Sequence, residues 1–189
     1  MRLLFRTGCC VLFGLITYAQ SPAGLAPDWD MRPILQEMSA HAGRLLPLLN
    51  QVDTKAWVQK GASETFTTQL QSAKDQARAI QTEALALAQT PEKLAASLQL
   101  YFRIQGLDTI LASIEEGTRK YQNPALAQAL TSLNAENGAN RDRFQLYIVS
   151  LATQREQECA VMDREAQRCR SIMATQPPPA AARNSGKKK

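Results

Sequence analysis

Between Pro33 and Met173 the apolar residues recur every three or four positions, and no segment sustains the alternation of apolar and polar residues that marks a strand. That period constrains the chain more than any other feature. A helix buries only one stripe of its surface, so each stripe requires another helix to cover it. The expected fold is all-α: an antiparallel bundle of four to five helices over residues 31–173, ending in a long C-terminal helix.

The stripes can be read in turn. Leu35, Met38, Ala42, Leu45, Leu49 and Val52 form a seam on the first helix, which Gly43 and Pro47 should kink. Phe66, Leu70, Ala73, Ala77, Ile80, Ala84 and Leu87 follow behind Ser63, a good N-cap. Thr90-Pro91-Glu92 then offers a cap, a first-turn proline and an acidic residue, so the third helix should begin almost at once and pack back as a hairpin. It is the most apolar stretch, from Leu94 to about Glu116, with Gly117 as its C-terminal stop.

Asn123-Pro124 restarts helix with Leu126, Leu130 and Leu133, and Asn137-Gly138 interrupts it. A weaker seam of Phe144, Ile148, Leu151, Met162, Ala166, Cys169 and Met173 carries on. One bent helix or two both fit residues 124–173. A single one would be about 75 Å long at 1.5 Å per residue, against about 40 Å for the second and third helices, and would project from the bundle.

The ends of the chain read differently. Residues 1–19 combine Arg2 and Arg6 with a short apolar run and the cleavage pattern Thr17 to Ala19, as a secretory signal peptide does. A secreted or periplasmic location follows as the expectation. Residues 20–30 read as a flexible linker and 174–189 as a disordered Pro/Ala-rich basic tail. The formal charge of +5 belongs to those ends: Arg2, Arg6, Arg183, Lys187, Lys188 and Lys189 are six of the 22 basic residues, against 17 acidic ones. A basic footprint for nucleic acid is therefore not expected within the bundle.

Reactive chemistry is sparse. The one histidine, His41, sits beside an apolar seam without a second imidazole, so neither a zinc motif nor a di-iron Glu-x-x-His pair can be assembled. No G-x-S-x-G, P-loop or dinucleotide glycine fingerprint occurs. Glu115-Glu116, beside Arg119 and Lys120, reads as a solvated charge cluster. No catalytic residue, metal or cofactor is expected.

Cys159 and Cys169 remain once the signal is removed. Their separation of ten residues places both on the C-terminal seam, about 15 Å apart on a straight helix and beyond disulfide reach. Buried thiols, cross-links between two copies of a parallel helix, and an internal bridge after local unfolding are the readings open. Lys187, Lys188 and Lys189 could hold an anionic envelope polymer or lipid surface, or serve as a solubilising tail. Trp29 and Trp57 flank the first helix, where end-packing is expected.

The expected function is that of an exported, non-enzymatic bundle acting through protein–protein contacts, self-association or cell-envelope contacts. Two alternatives stand beside it. One is a small-molecule or lipid carrier with an apolar pocket near Tyr101 and Phe102; the other is a periplasmic holdase-like chaperone.

Overall fold

The computed structural model describes residues 30–175. Residues 1–29, with the segment 1–19 expected as a signal and Trp29, and residues 176–189, which carry Lys187, Lys188 and Lys189, lie outside the described residues. Six helices follow one another: α1 (Met31–Asn50), α2 (Thr54–Gln59), α3 (Thr65–Gln89), α4 (Leu94–Tyr121), α5 (Pro124–Glu136) and α6 (Gly138–Thr175). Among the described residues there is no strand, and none of these helices is long and apolar enough to cross a membrane.

Local chemistry sets most of the boundaries. The Asp30 carboxylate accepts from the Arg32 N–H at 3.1 Å and opens α1. The seam from Leu35 to Val52 is buried throughout. Pro47 does not end the helix, which continues to Asn50. Pro47 lacks the N–H that would meet the Gly43 carbonyl, and it stands in the last turn, where few bonds remain to be broken.

α2 has no counterpart in the periodicity. It is a six-residue helix capped by Asp53, whose carboxylate accepts from the Ala56 N–H at 3.1 Å. Trp57 on it is fully buried, and its indole N–H donates to Gln122 Oε1 at 3.0 Å. The same Gln122 oxygen accepts from the Asp53 N–H, while its amide nitrogen donates to the Gln51 carbonyl. One side chain thus ties the α1–α2 and α4–α5 connections together.

The expected starts and stops shift in three places. Ser63 accepts from the Thr65 N–H at 3.2 Å, but it stands one residue ahead of the cap: α3 begins at Thr65 behind Glu64, which makes no side-chain capping bond. Thr90 to Lys93, however, form a turn, and α4 begins at Leu94 rather than at Pro91. Gly117 does not stop α4, which runs on to Tyr121. It is buried against Trp57, and a Cβ there would sit 2.6 Å from the Trp57 ring. The residue is glycine because a ring lies on the helix, not because the chain turns left-handed. Asn123 then caps α5, accepting from the Ala125 N–H at 2.8 Å, with Pro124 in the first turn.

One apolar core is shared by α1, α3, α4, α5 and the first half of α6, with Trp57 contributed by α2. α1 packs on α3, α5 and α6, and α4 packs on α3, α5 and α6. The seam alanines Ala73, Ala77 and Ala84 are completely buried, which lets α3 approach its neighbours closely. Polar links set the level of one helix against the next. Ser39 donates to the Gln81 carbonyl between α1 and α3. Between α3 and α4, Arg103 pairs with Glu83 at 2.9 Å and Ser113 donates to Gln69 at 3.0 Å. Thr131 donates to Glu115 between α5 and α4.

Candidate functional site

The C-terminal half of α6 is the part of the molecule left over by the core. Phe144, Ile148 and Leu151 are buried, but from Thr153 to Thr175 every residue is exposed except the half-buried Glu158. These residues form an arm of about 35 Å at 1.5 Å per residue. The stripe that is buried at 144, 148 and 151 continues along the arm through Arg155, Cys159, Met162, Ala166, Cys169 and Met173. On a helix of 3.6 residues per turn all of these lie within an arc of about 80°. Met162 and Met173 are 61% and 73% exposed, far above what a seam residue shows inside the bundle. Arg155 and Glu158 pair with each other at 2.7 Å near the root of the arm. Glu158 is held below the usual carboxylate range by the hydrogen bonds from Arg155 and Gln154.

Both cysteines are on this arm, free and exposed. They are not the buried thiols the sequence left open, because the apolar core ends at Leu151, eight residues before Cys159. The helix between them is unbroken, so in this conformation they remain about 15 Å apart and cannot bridge each other.

The direction of the arm is set at its root by a polar cluster that the sequence did not reveal. Asn137, buried, separates α5 from α6. Arg141 on the first turn of α6 pairs with Asp108 in the middle of α4. His41 is 5% exposed, and its Nε2–H donates to the Leu133 carbonyl at 2.7 Å, one of the last-turn carbonyls of α5 that has no partner within its own helix. Arg44 pairs with Glu136 just outside.

Burial lowers the His41 pKa below 6.5, outweighing the Leu133 hydrogen bond that raises it. Burial likewise raises Asp108 above 3.8, although Arg141 pulls the other way. His41 is therefore a neutral structural donor. The enclosed space beside it, lined by Met38, Ile104, Asp108 and Asn134 among others, measures only about 10 Å³, room for about one water.

The remaining singled-out residues fall elsewhere. Tyr101 and Phe102 pack edge to face at 5.8 Å, and Phe102 is 66% exposed. Glu115 is half-buried and accepts from Thr131, whereas Glu116 is exposed, so the two carboxylates do not share one environment. Trp57 stacks on Tyr121 and meets Phe66 edge-on, joining α2, α3 and the C-terminal end of α4. Among the described residues no three His, Cys, Asp or Glu side chains are placed to hold a metal ion.

Comparison of the chain with protein-family models, with curated proteins and with solved structures finds no match in any of the three.

Proposed function

We propose that the protein is an exported, non-enzymatic helical bundle with antiparallel neighbours, and that it acts through protein–protein or cell-envelope contacts made by the α6 arm. The observation that carries this reading is the arm itself: an apolar stripe continuous with the core, bearing Met162, Cys169 and Met173, with none of the other described residues packed upon it. A solitary helix of this length is marginal in water, so its stability and its use both point to a partner.

Support for antiparallel neighbours comes from the polar links between α3 and α4. As the residue number falls from Glu83 to Gln69 on α3, its partner rises from Arg103 to Ser113 on α4. The non-enzymatic reading rests on the commitment of the one imidazole to a backbone carbonyl. Export rests on the segment 1–19, and an anionic envelope contact on Lys187, Lys188 and Lys189.

The test is site-specific photo-crosslinking in the native host, with the reactive group placed at Met162 on the arm and, as control, at Phe102 on the bundle surface. The expected result is one discrete adduct from position 162, absent from position 102 and lost when Met173→Glu is added. Equal labelling from both positions, or none from 162, overturns the assignment to the arm.

A further inference from the structure

Resting on the reading of the arm as a contact surface, we propose that its occupant is a second copy of the same arm. The two lie antiparallel about a two-fold axis at Arg164, so that Cys159 of each copy faces Cys169 of the other.

Three observations converge. The first is the continuity of the stripe. Phe144, Ile148 and Leu151 turn this face toward the chain's own bundle, so a parallel partner helix laid on the same face of the arm would have to enter that bundle as it passed residue 151. An antiparallel partner approaches tip first. The arm spans residues 152–175, and a two-fold at residue 164 sets Thr175 of one copy level with Thr153 of the other, just short of Leu151. The whole arm is used and neither bundle is entered.

The second observation is the seam itself. Reversal about Arg164 sets Met162 against Ala166, large against small, and the Arg155 stem against Met173. A parallel pair would set Arg155 on Arg155 and leave Ala166 facing Ala166. The charges beside the seam do not choose between the orientations. The antiparallel pair joins Glu156 to Arg170 twice and opposes Asp163 and Glu165 to their own copies. The parallel pair joins Glu165 to Arg170 twice and opposes Glu158 to Asp163 twice. Seam and bundle therefore decide the direction.

The third is the position of the thiols. Both are exposed in the single chain. In the antiparallel pair Cys159 and Cys169 of the second copy share a layer, twice over. Helix axes about 8–10 Å apart, with Cα atoms about 2.3 Å from each axis, leave facing Cα atoms about 5 Å apart, within disulfide reach. Two copies of Cys169, or of Cys159, are instead about 15 Å apart along the axis. Each bridge forms when two protein thiols are oxidised to one disulfide while oxidised glutathione is reduced to two molecules of its thiol.

The test uses the full chain with Cys9→Ser and Cys10→Ser, so that only the arm thiols react, incubated with oxidised glutathione. Non-reducing electrophoresis and mass spectrometry of the linked peptides read the outcome. The expected result is a covalent dimer joined Cys159 to Cys169. Cys159→Ser alone and Cys169→Ser alone each stay monomeric under denaturing conditions, and an equal mixture of those two variants forms the covalent dimer again. Covalent dimers from either single variant alone overturn the antiparallel register. Glutathione adducts without dimers overturn self-association. In that second case the photo-crosslink at Met162 separates the two claims: an adduct to a different protein removes only this inference, and no adduct removes the contact reading as well.

Discussion

Two glycines on α4 should respond to alanine with opposite signs. At Gly117 the new Cβ would lie 2.6 Å from Trp57 Cζ3, 3.1 Å from Phe66 Cε1 and 3.2 Å from Trp57 Cη2. The indole is fully buried and pinned at its N–H by Gln122, so it cannot move aside without stretching a hydrogen bond worth about 1 kcal/mol. Overpacking of this kind costs about 1–3 kcal/mol. The gain from replacing glycine within a helix is about 0.8–1 kcal/mol. With the stretched bond added to the overpacking and the helix gain subtracted, the net expectation for Gly117→Ala is a loss of about 1–3 kcal/mol, which for a domain of this size lowers Tm by about 2–12 °C. At Gly106 the Cβ meets only the Gln76 side-chain end, at 3.1 Å. That end can swing away, so Gly106→Ala should keep most of the helix gain and raise Tm by about 2 °C. Thermal unfolding followed by circular dichroism, on both variants in parallel, reads the signs. A Gly117→Ala protein that melts at or above the parent would refute the argument that the glycine exists to seat Trp57.

Other expectations follow from the same contacts. Gln122→Ala removes three hydrogen bonds at once and leaves the buried indole N–H unpaired; it should cost about 2–4 kcal/mol by denaturant titration and change Trp fluorescence. Because His41 is held below 6.5, the unfolded chain binds its proton first on acidification, and stability should fall as the pH drops through about 6.5 toward the lowered value. His41→Gln, which can still donate to Leu133 but does not titrate, should flatten that slope from about pH 6.5 downward; an unchanged slope would sink the assignment. Asp108 has the opposite sign. Its raised pKa means that the folded chain takes up the proton more readily, so Asp108→Asn should weaken the acid-side gain in the region just above 3.8. Within the single chain Arg155→Ala breaks only an exposed pair, worth at most about 1 kcal/mol, and thermal unfolding of the reduced monomer should show Tm lowered by no more than about 2–4 °C.

The helices were legible because their stripes are long. Leu35 to Val52 and Leu70 to Leu87 carry enough repeats for the period to declare itself, and all of those seam residues are buried. α2 was not legible: six residues hold less than two turns, and its single large apolar residue, Trp57, gives no period at all. Gly117 misled because a glycine after a helical run fits both a left-handed stop and a place where a ring presses on the helix; only the position of Trp57, sixty residues away in sequence, distinguishes them. The root of the arm was hidden for the same reason. His41, Asp108, Leu133 and Arg141 come from four helices, and nothing local to any one of them announces the others. Cys159 and Cys169 were correctly placed on a seam, but a seam in sequence does not say whether the surface opposite it belongs to the same chain.

That last distinction follows from lengths. α4 has 28 residues and α5 has 13, so α5 covers only half of α4 before Asn137-Gly138 breaks it. The Arg141–Asp108 pair sets the first turn of α6 beside the middle of α4, and the Tyr147 hydroxyl is raised above its usual range first by burial and then by the acidic Glu92, just before α4 begins. α5 and the first fourteen residues of α6 therefore lie end to end along α4, and together they use up its length by Leu151. α6 has 38 residues. Among the described residues, those past Leu151 have no helix left to pack against, yet they keep the same stripe facing the same way. A chain whose only need was to close this core could have stopped there. The continuation of the stripe for another 24 residues, with a thiol at each end of its central stretch, is what a second copy would require and what the bundle alone would not.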